Sequence, residues 1–147
     1  MKVIVDTSIW SLALRRRRGG EAPEATVLKN LVTDRRVQML GPVRQEILSG
    51  VRSPSDFRKL HERLASFPDL PLSTEDYVKA AEFLNTCRSK GVQGSNTDFL
   101  LCAVSWRTRF PIFTTDKDFE AYAGHLPVFL FLPGGAVNDH EHRGRRS

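Results

Sequence analysis

Long apolar runs are missing from this chain. The longest, Leu126 to Leu132, has seven residues and includes Pro127, far short of the roughly twenty needed to cross a bilayer as a helix. At the start, Met1-Lys2-Val3-Ile4-Val5-Asp6 meets an acid after three apolar residues, too few for the core of a secretory signal. Cysteine is scarce: Cys87 and Cys102 stand fifteen positions apart, a spacing that fits no zinc or redox motif. Cys102, inside Phe99-Leu100-Leu101-Cys102-Ala103-Val104, reads as a buried free thiol. Histidine offers no ligand spacing either, with His61 and His125 isolated and His140 and His142 in a polar tail. Any metal must therefore be held by oxygen. These shortages exclude a membrane span, a disulfide framework and a zinc site, and the expectation is a soluble, cytoplasmic protein.

What is present suits one domain. With 147 residues, 40% hydrophobic and 27% charged, the chain can bury roughly two-thirds of its unfolded surface without help from disulfides or a structural metal. The net charge of +5 and pI of about 9.6 favour a polyanionic partner. The surplus is uneven. Arg15, Arg16, Arg17 and Arg18 form a run, Arg35-Arg36 a second cluster, and Arg143, Arg145 and Arg146 lie near the end. The run reads either as a contact to the phosphates of such a partner or as a solvated helix end whose cations complement the dipole.

Short apolar strands alternate with amphipathic helices. Strands are predicted at Lys2 to Val5, Val37 to Leu40, Pro111 to Thr114 and Val128 to Leu132, with a short extended piece at Asp69 to Leu72. Helices are predicted at Ile9 to Leu14, Pro23 to Thr33 and Val43 to Ser49, the last opened by Pro42 and stopped by Gly50. Phe57, Leu60, Leu64 and Phe67 mark one apolar helical stripe, and Tyr77, Ala80, Leu84 and Cys87 another, with Ser73 and Asp76 as its capping box. Ser95-Asn96-Thr97-Asp98 has the same capping pattern and opens Phe99 to Trp106, apolar nearly all round and so expected at the centre. Phe119 to Tyr122 fits a short helix. Strands separated by helices indicate parallel β-α units in an open α/β sheet. One domain is expected over residues 1–132. Residues 133–147, with Ala136 and Val137 as their apolar content after Pro133, are expected to be a basic polar, mobile tail.

Open α/β sheets bind ligands beyond the carboxyl ends of their strands. Asp6 directly follows the first strand, and Asp116 follows Ile112-Phe113-Thr114-Thr115. Asp98 lies in the first turn of the apolar helix, and Glu46 lies at the margin of a buried helical stripe. Each has an ordinary explanation as a cap, a turn or a solvated helix residue. Together on one rim they would repel strongly and need bound cations or raised pKa values to persist. Hard oxygen ligands favour magnesium or manganese, and such ions serve in-line phosphoryl displacement. A basic surface around an acidic metal pocket suits a nuclease.

Four segments carry a resemblance. Val3-Ile4-Val5-Asp6-Thr7-Ser8-Ile9-Trp10, Pro42-Val43-Arg44-Gln45-Glu46-Ile47-Leu48-Ser49-Gly50, Gly94-Ser95-Asn96-Thr97-Asp98-Phe99-Leu100-Leu101-Cys102-Ala103 and Ile112-Phe113-Thr114-Thr115-Asp116-Lys117-Asp118-Phe119 occur in one order over residues 1 to about 132. In this the chain resembles PIN-domain ribonucleases of the VapC toxin type. The resemblance implies a three-layer α/β/α domain with a five-stranded parallel sheet, and Mg²⁺-dependent cleavage of RNA with Mn²⁺ as a substitute. It also implies a cognate VapB-like, DNA-binding antitoxin and a homodimer. Carried over, Asp6, Glu46, Asp98 and Asp116 become the catalytic, metal-holding acids, with Asp6 and Asp98 the direct ligands. Ser8 and Thr114 would steady the acids by hydrogen bonds, and Asp118 would either assist or begin a helix.

The competing reading is a non-catalytic PIN-like module that binds RNA or serves as an antitoxin corepressor. The acidic quartet argues against it, because a pure binder gains nothing from four repelling acids. An aspartate-nucleophile phosphatase would place a second acid where Ser8 stands, a receiver domain would want adjacent acids near the first strand, and a dinucleotide enzyme would want a glycine-rich turn in place of Asp6-Thr7-Ser8.

Overall fold

Val3–Val5 forms strand β1, buried along its whole length, and the sheet is built outward from it. In the computed structural model, which describes residues 1–15, 20–132 and 137–139, α1 (Thr7–Leu14) and α2 (Pro23–Thr33) lead to β2 (Val37–Gln38). Then come α3 (Gly41–Leu48), α4 (Pro54–Leu64), α5 (Thr74–Ser89) and α6 (Asn96–Thr108). After them follow β3 (Ile112–Phe113), α7 (Asp118–Ala123), β4 (Phe129–Phe131) and β5 (Val137–Asp139). The sheet order is β2-β1-β3-β4-β5. β1 pairs in parallel with β2 and with β3, putting Val3 beside Val37 and Ile4 beside Ile112, and β3 pairs in parallel with β4.

The chain leaves β1 toward one edge, to β2, and leaves β3 toward the other, to β4. With right-handed crossovers this reversal sends the connecting helices to opposite faces of the sheet, giving the α/β/α layering. It also opens a crevice between the carboxyl ends of β1 and β3, the usual place for a ligand in such folds. The expected central helix is α6: Phe99 through Ser105 are all buried, and it packs chiefly against α5. Among the described residues, no helix is long and apolar enough to cross a membrane.

Two expectations change. The sheet has five strands, but only four run parallel; β5 pairs antiparallel with β4, Phe131 lying opposite Val137. This strand is drawn from the 133–147 stretch expected to be mobile. A ladder is made by backbone N–H and C=O groups, and the β4 edge offers a row of them, so a segment of little apolar content can join without any hydrophobic signature. Residues 133–136 and 140–147, like 16–19, lie outside the described residues. The extended piece at Asp69 to Leu72 amounts to one parallel bridge between Met39 and Asp69. Two intervening prolines, Pro68 and Pro71, remove the amides that a longer ladder would need.

Candidate active site

Asp6 is the first residue past β1 and one of the few buried charged side chains. It occupies the N-cap position of α1, yet its carboxylate makes no capping bond. The backbone carbonyl of Asp6 accepts from the amides of Ile9 and Trp10, which leaves the side chain free to face the crevice. There the Ser8 hydroxyl and the Thr114 hydroxyl each donate to Asp6 Oδ2 at 2.8 Å. Among the described residues, no side chain or amide donates to its other oxygen.

The loop after β3 is built onto the same hydroxyls. Thr115 N–H donates to Ser8 Oγ at 3.1 Å, and Asp116 N–H donates to Thr114 Oγ1 at 2.9 Å. Asp116 Oδ1 in turn accepts the Asp118 amide at 2.9 Å, so Asp118 acts here through its backbone as the first residue of α7. Beside the backbone bond from Asp6 N–H to the Phe113 carbonyl, Ser8 and Thr114 thus carry the side-chain hydrogen bonds that join the end of β1 to the end of β3.

Asp98 stands in the first turn of α6, where its amide donates to Ser95 Oγ at 3.1 Å. Its carboxylate turns across to α7 and accepts the Tyr122 hydroxyl at Oδ2, 2.7 Å. Partial burial raises the Asp98 pKa, against hydrogen bonds from Tyr122 and Ser95 that lower it, and the negative charges of Asp6 and Asp116 raise it further. Asp98 therefore feels two of the other three candidate acids across the crevice. Burial, and then the bond to Asp98 and its charge, push the Tyr122 phenol well up, so it remains a donor.

Glu46, exposed on α3, is the outlying member. It is tied to the others through the Thr7 hydroxyl, which donates to Glu46 Oε2 at 2.7 Å. Among the described residues, no three acidic, histidine or cysteine side chains close into a ready-made metal-ligand group. The donors on this rim are nonetheless all oxygen, and they are mutually repelling carboxylates, which is the chemistry that suits a hard divalent cation.

Tyr122 and Thr7 were not among the residues the sequence singles out. A hydroxyl between Asp6 and Ser8 was a visible signal for Thr7; Tyr122 gave none, since its ring is an ordinary core residue of a short helix. Of the arginine run, Arg15 is exposed at the end of α1 and Arg16, Arg17 and Arg18 lie outside the described residues. Trp10 packs edge-on against Phe67 at 5.3 Å, whereas Trp106 is half-exposed beneath the Lys79 ammonium.

The profile of the PIN domain family matches residues 3–125. Among curated proteins no sequence matches. Similar solved structures include FitAcB from Neisseria gonorrhoeae, at 19% identity over 82% of this chain and 92% of that one, with a TM-score of 0.66. VapBC2 from Rickettsia felis, bound to a DNA fragment from its promoter, is similar at 17% identity over 82% and 92%, with a TM-score of 0.66. FitAB bound to an IR36 DNA fragment is similar at 18% identity over 82% and 90%, again with a TM-score of 0.66. At such identities the structural likeness speaks for the fold.

Proposed function

The chain belongs to the PIN-domain family, and from this premise we propose that it is the toxin of a type II toxin–antitoxin pair, a VapC-type endoribonuclease that hydrolyses RNA with Mg²⁺, for which Mn²⁺ substitutes. PIN domains are in general nucleases that use divalent ions. The observation that carries the proposal is the crevice itself: Asp6 is buried with two hydroxyls on one oxygen, and Asp98 feels the charges of Asp6 and Asp116.

We assign Asp6 and Asp98 to hold the cation, with Asp116 and Glu46 completing its surroundings or orienting the attacking water. Ser8 and Thr114 keep Asp6 turned toward the crevice. When bound, the ion supplies Lewis acidity to the phosphate and lowers the pKa of the attacking water. Arg15 to Arg18 are assigned to RNA phosphates, and the cytoplasm is the expected place of action. FitAcB, VapBC2 and FitAB support the idea of a cognate, VapB-like antitoxin that binds DNA, and a homodimer completes the proposal.

A second reading, a PIN-like module that binds RNA or acts as corepressor without cleaving, is favoured by the absence of a ready-made ligand group among the described residues. One experiment separates the two. Purified protein should cleave RNA with Mg²⁺ or Mn²⁺ and stop in excess chelator. Asp6→Asn and Asp98→Asn should fold, because Asn still accepts the hydroxyl donors, yet lose cleavage by more than about 100-fold. Cleavage persisting in chelator, or equal cleavage by a folded Asp98→Asn protein, overturns the mechanism; no cleavage under any metal supports the second reading.

A further inference from the structure

Resting on the metal-site reading above, we propose that Tyr122, seated in a notch made by Gly94, is a positioning residue that fixes the Asp98 carboxylate and thereby sets the affinity of the crevice for a divalent cation. The notch is measurable. A Cβ at position 94 would overlap the Tyr122 hydroxyl oxygen and lie 2.7 Å from Cζ and 2.9 Å from Phe99 Cε2. Among the described residues the positive-φ glycines are Gly20, Gly50 and Gly91, and Gly94 is not one of them, so glycine serves here for space and not for backbone conformation. The loop before α6 thus passes directly over the phenol oxygen.

The ring has no freedom to leave. Tyr122 is fully buried, with its centroid 4.7 Å from that of Phe99 and 5.2 Å from that of Phe119. Its hydroxyl is the one part that reaches the crevice, 2.7 Å from Asp98 Oδ2. Asp98 is only partly buried, so water could satisfy that oxygen equally well. What a fixed protein donor adds is orientation. A carboxylate held by one oxygen has lost its rotational freedom before any ion arrives, and that ordering is then not charged against binding. Outer partners of this kind usually account for 10–100-fold in metal affinity.

The test uses the full chain and Mn²⁺ as probe, read by calorimetry or electron paramagnetic resonance, with melting curves alongside. Tyr122→Phe keeps the ring and removes the donor. It should weaken Mn²⁺ binding by about 10–100-fold with a Tm within about 4 °C of wild type. Gly94→Ala, which displaces the hydroxyl without deleting it, should show the same loss of binding. In an Asp98→Asn background, Tyr122→Phe should add less than about twofold, since it acts through that carboxylate. Wild-type binding by Tyr122→Phe, or losses that multiply in the double variant, overturns the positioning role while leaving the metal site intact. Absence of Mn²⁺ binding by wild type, or undiminished binding by Asp98→Asn, overturns the metal-site reading and this inference with it.

Discussion

The Thr114 hydroxyl serves two acids at once. It donates to Asp6 Oδ2 at 2.8 Å and accepts the Asp116 amide at 2.9 Å, so one oxygen couples the buried acid to the loop that carries the exposed one. Thr114→Val keeps the shape and deletes both bonds. We expect it to cost about 1–3 kcal/mol in stability, because the part-buried Asp6 carboxylate loses a donor and the Asp116 amide its acceptor, and to lower cleavage about 10–100-fold. Thr114→Ser should restore both. Denaturant melts and cleavage rates of the two variants check this; a Thr114→Val protein with wild-type cleavage would remove Thr114 from the site.

At the scale of elements, the largest helix contact is between α5 and α6, and one acid anchors it. Asp76 closes the capping box with Ser73 at the start of α5. It also receives Arg107 of α6 through Nε at 2.6 Å and through the other guanidinium arm at 3.0 Å. Burial alone would raise the Asp76 pKa, but the bonds and charge of Arg107 and the amide of Ser73 outweigh it and hold the carboxyl below its usual value. The sign follows from linkage. A folded-state pKa below the unfolded one, about 3.9 for aspartate, gives stability that is present above that value and is lost as pH falls through the folded pKa. Asp76→Asn should therefore lower stability by about 1–3 kcal/mol at neutral pH and flatten the fall of Tm on acidification. Thermal melts from pH 2 to pH 6 read both; parallel acid limbs would mean that Asp76 does not carry the effect.

The whole molecule turns on the reversal of chain direction between β1 and β3, which brings positions 6 and 114 to one crevice, and it closes with an antiparallel strand. β5 covers the β4 edge, which would otherwise present unpaired amides and carbonyls next to buried Leu130 and Phe131. A chain ending at Leu132 should fold, since it keeps every buried core residue from Val3 to Phe131, but melt about 3–8 °C lower and associate at high concentration. Scanning calorimetry and light scattering on the shortened and full chains make the comparison; identical melts and monodisperse solutions would show that β5 adds nothing to the sheet.

The amino-acid sequence by itself determined the alternation of strands and helices, the central helix α6, the Ser73–Asp76 box and the place of Asp6 at the end of the first strand. Each depends on neighbours two to four residues away, which hydrophobic periodicity and capping chemistry report directly. The four motifs also carried the family. Tertiary structure alone decided which acids share a partner: Asp98 with Tyr122, 24 positions on, Asp76 with Arg107, 31 positions on, and Thr7 with Glu46, 39 positions on. It decided too that Val137–Asp139 pairs antiparallel with β4. Such contacts depend on how separate elements cross and pack, and a backbone ladder or a buried phenol leaves no periodic trace in the chain that forms it.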